Sequence, residues 1–116
     1  VTTPARARLA VLASGGGSNL QAICDHLDAL GSTAPAELVL VVSDRKDSGA
    51  LDRARRRGVA AEWAPKDDPR AVTEALETHE VGCIALAGYL RLVPPRVIAA
   101  FRGRIVNVHP ALLPAF

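Results

Sequence analysis

Short apolar runs alternate along this chain with longer stretches in which apolar residues recur at helical spacing. Leu9 to Ala13 (LAVLA) predicts a buried strand. Ser18 to Leu30 predicts a helix with Leu20, Ile23, Cys24, Leu27 and Leu30 on one face and Gly31 as its stop. Glu37 to Ser43 (ELVLVVS) is a nearly continuous apolar run, the pattern of a strand covered on both faces. A helix over Ser48 to Arg57, a strand over Val59 to Ala64 and a helix over Asp68 to Glu80 follow. Cys83 to Ala87 (CIALA) and Arg104 to Val108 (RIVNV) predict two further strands. Between them Pro94 to Phe101 predicts a helix, its prolines suited to a first turn.

Strand and helix alternate without an internal repeat or a linker-like tract. That order predicts an α/β fold, a Rossmann-like open, mainly parallel sheet with helices on both faces, built as one domain over residues 1–116. Such sheets bind ligands beyond the carboxyl ends of their strands. The segments expected there are Ser14 to Asn19, Ser43 to Asp47, Pro65 to Pro69, Gly88 to Val93, and Asn107 onward.

Composition narrows the function classes. Hydrophobic residues make up 49% of the 116, which excludes a disordered chain. No run approaches the ~18 apolar residues of a membrane span, and the start of the chain lacks a secretory pattern, so a cytoplasmic protein is expected. The net charge of +2 does not point to nucleic acid. Arg53, Arg55, Arg56 and Arg57, just before Gly58, predict the carboxyl end of a helix; the rival reading, an RNA-contacting patch, has few stacking platforms at 3% aromatic content. Cys24 and Cys83 are expected to be buried small hydrophobes, and no paired Cys or His spacing predicts a metal site. His26 and His79 fall within predicted helices and are expected at the surface.

Two constellations carry candidate chemistry. The first strand runs into Ser14-Gly15-Gly16-Gly17-Ser18-Asn19, where glycines permit a tight turn and a helix amino terminus presents unpaired N–H donors to a phosphate. The same residues also suit a ligand-free turn with a Ser or Asn cap. Leu20 occupies the third glycine position of the dinucleotide fingerprint, and no Gly-Lys-Ser/Thr follows, so a phosphorylated small molecule fits better than a dinucleotide. Asp44 suits either a ribose hydroxyl or a turn. The second constellation is Asn107 and His109, two apart and therefore on one side of a strand, with Pro110 stopping its continuation. An amide donor and a protonated imidazole suit acyl transfer, where a carbonyl oxygen gains charge; an exposed loop histidine beside a turn asparagine is the alternative.

Three segments, in this order and spacing, resemble the glycinamide ribonucleotide formyltransferase family. They are Ala13-Ser-Gly-Gly-Gly-Ser-Asn-Leu-Gln-Ala-Ile23, Leu86-Ala-Gly-Tyr-Leu-Arg-Leu92 and Ile105-Val-Asn-Val-His-Pro-Ala-Leu-Leu-Pro114. The resemblance covers essentially the whole chain and implies two small-molecule substrates, glycinamide ribonucleotide and the formyl donor 10-formyltetrahydrofolate, with no metal, nucleic acid or membrane involved. It places the substrate phosphate at Gly17, Ser18 and Asn19. It places the folate at Arg70, Leu90, Arg91, Leu92, Val93 and Asn107, and makes Asn107 and His109 the catalytic pair.

The chain departs from the family pattern at Tyr89, where Phe is common, and at Asp44, where Asn is common. Family members are also longer and supply a later aspartate that raises the pKa of the histidine. The sequence stops at Phe116, so the expectation is an amino-terminal ribonucleotide-binding portion, inactive alone. Its apolar ending favours self-association. Two other readings compete: a 10-formyltetrahydrofolate hydrolase, which has no use for a ribonucleotide phosphate site, and a noncatalytic phosphate-binding half-domain.

Overall fold

The computed structural model describes residues 6–89 and 93–108. Five strands, β1 (Ala7–Leu12), β2 (Ala36–Ser43), β3 (Ala60–Trp63), β4 (Cys83–Leu86) and β5 (Ile105–Asn107), form one sheet in the order β3-β2-β1-β4-β5. Every pairing is parallel. Four helices connect them: α1 (Ser18–Leu30), α2 (Gly49–Arg56), α3 (Pro69–Thr78) and α4 (Pro95–Ala100). Because successive strand residues face opposite ways, β1 feeds two cores. Leu9, Val11 and Ala13 pack with Leu20, Ile23 and Cys24 of α1 and with Leu51 and Ala54 of α2. Ala10 and Leu12 pack on the other face with Val72 and Leu76 of α3 and Val97 of α4. The fold is thus the predicted parallel α/β sheet with helices on both faces.

Element boundaries differ from expectation where a local contact intervenes. The third helix ends at Thr78 rather than Glu80, because Glu80 takes a left-handed conformation (φ 52°). The Arg8 guanidinium donates to the carbonyls of His79 (2.9 and 3.2 Å) and Glu80 (3.1 Å), satisfying the helix end. His79 is therefore a half-buried capping residue, not a helical surface one, and its Nε2 lies 3.6 Å from Glu62 Oε1. Burial of β2 is complete only from Leu40 to Ser43, since β3 pairs with it only from Leu40 onward. Cys24 is buried as expected. Cys83, the first residue of β4, is only partly so, and its Sγ donates to the Arg8 carbonyl at 3.8 Å. Burial pushes both thiols above their ordinary pKa.

The arginine run closes α2 as predicted, with Gly58 at φ +75° just beyond it. Arg56 pairs with Asp52 one turn earlier at 2.7 Å. Arg57 grips Asp28 of α1 through two bonds of 2.8 and 3.1 Å, and this guanidinium holds the Asp28 carboxyl below the usual carboxylate range. A carboxylate pKa depressed by folding contributes stability above its unfolded value, and that contribution is lost as the pH falls through the folded value. Thermal melts from neutral pH down to about pH 2 should therefore show wild type above Asp28→Asn near neutrality, with the two curves converging in acid. The gap should be small because the pair is exposed; a gap that persists in acid would separate the effect from ionisation of Asp28.

At its other end α2 meets the turn that follows β1. Ser48 caps the helix by accepting from the Ala50 N–H at 3.1 Å, while its hydroxyl donates to the Gly15 carbonyl at 2.7 Å. Gly49 lies so close to Gly16 that an added Cβ would sit 2.5 Å from the Gly16 oxygen and 2.9 Å from its Cα. Both partners are backbone, so neither can rotate away. Gly49→Ala should destabilise the protein by about 1–3 kcal/mol, as overpacking does, measured by denaturant unfolding. An unchanged midpoint would mean that the turn shifts at little cost.

Candidate functional site

An all-parallel sheet brings its five carboxyl ends to one edge, and the pairing there continues past the strands. The Ala13 N–H donates to the Val42 carbonyl (2.9 Å), Ala87 to Leu12 (2.9 Å), Ser14 to Gly88 (3.3 Å) and Val108 to Leu86 (2.8 Å). These bonds carry the first loop, the loop after β4 and the end of β5 into one continuous rim. In the strand order the chain leaves β1 toward β2 on one side and reaches β4 on the other, and the crevice of such a sheet opens at that reversal.

The glycine turn stands at this crevice. Gly15, Gly16 and Ser18 are exposed, Gly17 is buried, and α1 begins at Ser18. Gly17 itself occupies the cap position at φ 94°, and no side chain caps the helix. The alternative of a Ser or Asn cap is therefore not what forms: Ser18 is already the first helical residue, and its side chain stands at the surface. The first N–H groups of α1 have no acceptor within the helix and carry the positive end of its dipole. Asn19, half-buried in the first turn, lies beside the second loop, where a Cβ added to Gly88 would be 3.5 Å from its Nδ2. Gly88, at φ +74°, is thus the point at which the turn and the loop after β4 meet.

On the far side of Gly88, Asn107 pairs in register with Leu86 and is exposed at the end of β5. Gly17, Ser18, Asn19 and Asn107 therefore share one edge of the sheet. His109, Leu90, Arg91 and Leu92 lie outside the described residues. Val93 and Tyr89 line a groove of about 580 Å³ with Ala64, Val72, Pro94 and Pro95. Arg70 is exposed in the first turn of α3, which Asp68 caps by accepting from the Arg70 N–H at 3.1 Å. It borders a second hollow of about 380 Å³ that shares Pro69, Pro94 and Pro95 with the groove. Lys66, Asp67 and Asp68 also line the groove, and Glu74, Glu77 and Arg96 the second hollow, so both combine apolar walls with charges of either sign.

Asp44 stands at the same edge, toward β3. It lines a hollow of about 640 Å³ on the β2 and β3 side, with Ser14, Arg45, Trp63 and Lys66. Its carbonyl accepts from the Trp63 indole at 3.3 Å, and Lys46 lies 5.5 Å from the centre of that ring. Among the described residues no three His, Cys, Asp or Glu side chains gather to hold a metal ion, and no helix is long and apolar enough to cross a membrane.

The residues behind the glycine turn carry no signature of that role in the sequence. Ser48 and Gly49 read only as an ordinary helix start, and Arg53 as one of several cations at a helix end. In the fold the Arg53 Nε donates to the Gly16 carbonyl at 3.1 Å, and its Nη1 donates to Gln21 Oε1 at 3.0 Å. The sole signal in the sequence was Gly49 beside a cap, and nothing in it announced a partner thirty-three residues earlier.

Residues 7–116 match the sequence profile of a family described as Formyl transferase. The chloroplastic phosphoribosylglycinamide formyltransferase of Arabidopsis thaliana is 40% identical over 121 residues, covering 97% of this chain and 41% of that protein. The Bacillus subtilis phosphoribosylglycinamide formyltransferase is 39% identical over 116 residues, covering 94% of this chain and 58% of the relative. Glycinamide ribonucleotide transformylase 1 from Symbiobacterium toebii superposes with a TM-score of 0.80 at 42% identity, over 96% of this chain and 55% of that one. The chain spans about half the length of these relatives. With the profile matched from β1 to the last residue and the parallel sheet shared with a solved relative, the chain belongs to the formyl transferase family.

Proposed function

We propose that the complete protein transfers a formyl group from 10-formyltetrahydrofolate to the amine of glycinamide ribonucleotide, a step of de novo purine synthesis, with the cytoplasm as its working compartment. The observation that carries this reading is the shared edge: an anion-ready turn at Gly17–Asn19 and the Asn107 amide at the end of β5, joined across Gly88. A phosphate held at the turn would hold the ribonucleotide at that edge, directing its amine toward the β5 end. The groove beside Tyr89 and Val93 suits the pteridine of the donor, with Arg70 near its acidic tail. The names of the relatives, phosphoribosylglycinamide formyltransferase among them, support the ribonucleotide as the formyl acceptor.

In this reaction the amine nitrogen attacks the formyl carbon, and the carbonyl electron pair moves to oxygen. The Asn107 amide donates a hydrogen bond to that oxyanion, and protonated His109 adds a charged donor. Collapse of the tetrahedral intermediate breaks the bond to N10 of the folate. The proton lost by the amine ends on N10, with the imidazole as the shuttle. The products are the formamide and tetrahydrofolate.

Asn107→Ala and His109→Ala in the complete protein should each lower kcat by about 10²–10³ while moving the KM for the ribonucleotide far less. Steady-state kinetics with both substrates varied is the measurement. Raised KM at unchanged kcat would make the pair binding residues. Formate release that ignores the ribonucleotide would make the protein a hydrolase instead.

A further inference from the structure

Arg53, the half-buried arginine of α2, makes contacts that the end of a helix does not require. Arg55, Arg56 and Arg57 are exposed, whereas Arg53 folds back along the helix onto the glycine turn. Its side chain packs against Gly17 closely enough that a Cβ there would fall 2.7 Å from Arg53 Cδ. From that position one guanidinium holds two acceptors, the Gly16 carbonyl and the Gln21 amide oxygen in the first turn of α1. Ser48 and the Ala50 N–H, at 2.7 and 3.4 Å, hold the preceding carbonyl, that of Gly15.

In a planar trans peptide the N–H points opposite to the C=O of the same unit. Pulling the Gly15 and Gly16 carbonyls toward α2 therefore aims the Gly16 and Gly17 N–H groups away from it. A run of three glycines has no side-chain packing to impose that orientation and is otherwise the most freely rotating stretch in the chain. The same guanidinium sets a permanent positive charge directly behind the turn.

We propose that Arg53 is a positioning residue for the anion site: it orders the Gly15–Gly17 turn from behind and raises the local potential, so that the turn binds the phosphate of a phosphorylated ribose. This rests on the anion role given to the turn above. Lysine would keep the charge but lacks the planar fork needed to hold both acceptors at once.

The test uses the complete protein and its Arg53→Lys, Arg53→Ala and Arg56→Ala variants. Calorimetric titration with ribose 5-phosphate reads the anion site without any formyl chemistry, and titration with the formyl donor reads the groove. Arg53→Ala should weaken ribose 5-phosphate by about tenfold or more, the scale of a lost charged hydrogen bond, and leave donor affinity within about twofold. Arg53→Lys should recover only part of the loss, and Arg56→Ala should bind like wild type. Unchanged ribose 5-phosphate affinity in both Arg53 variants would overturn the proposal. So would a parallel loss of both ligands, the mark of a merely structural role, and so would full recovery with lysine, which would reduce Arg53 to a point charge. If wild type itself binds no ribose 5-phosphate, the anion reading of the turn fails, and with it this inference.

Discussion

The central strand β1 loses contact with water from Leu9 through Ala13 on both of its faces, and everything functional in the fold follows from that burial. A backbone so enclosed must find partners for its N–H and C=O groups within the protein. It finds them in β2 on one edge and β4 on the other, both running in its own direction. Parallel neighbours demand crossover connections, and right-handed crossovers lay a helix across a face of the sheet. Once β1 has two parallel partners, the loops that leave the three strands must emerge together. The glycine turn, Asp44 and Gly88 are at one edge for that reason.

Two glycines at this junction are fixed by distinct physical reasons, Gly17 in the turn and Gly49 at the start of α2. Gly17 takes a positive φ against the Arg53 side chain, and a Cβ there would be both strained and crowded. Gly15 and Gly16 have open space where a Cβ would be, so neither needs to be glycine to avoid a clash. It is Gly49, across the contact, that cannot carry a side chain without striking the Gly16 backbone. The turn and the start of α2 therefore form one packed unit, with Ser48, Gly49 and Arg53 holding its inner side and α1 presenting its outer one.

Charge is distributed along α2 with similar economy. Arg57 reaches across to Asp28 and ties α2 to the helix that begins at the turn, while Arg56 stays on its own helix with Asp52. Arg53 alone among the four reaches the glycine turn. One helix thus fastens α1 at its far end through an ion pair and fixes its near end through backbone carbonyls. The two helices are tied together at both ends of α1.

Hydrophobic periodicity was enough to read the order of strands and helices, because parallel strands buried on both faces and amphipathic helices leave opposite periods in the chain. The segments at the carboxyl edge, from the glycine turn to Asn107, were legible for the same reason: a parallel sheet leaves no other place for them. What depended on contacts between distant residues was not legible. The earlier end of α3 follows from the reach of Arg8 to the His79 and Glu80 carbonyls, over seventy residues along the chain. The absence of a side-chain cap on α1 follows from the left-handed conformation of Gly17. Likewise, four arginines in five positions look alike as sequence, and local pattern assigns them all to a helix end. Helical spacing separates Arg53 only from Arg55 and leaves Arg56 and Arg57 on its own side, so only the packing of α2 against the turn decides that Arg53 faces the Gly16 carbonyl. Local pattern determines which elements form and in what order; which distant groups they bring together is settled by tertiary packing, since a hydrogen bond across thirty-seven residues leaves no period in the chain.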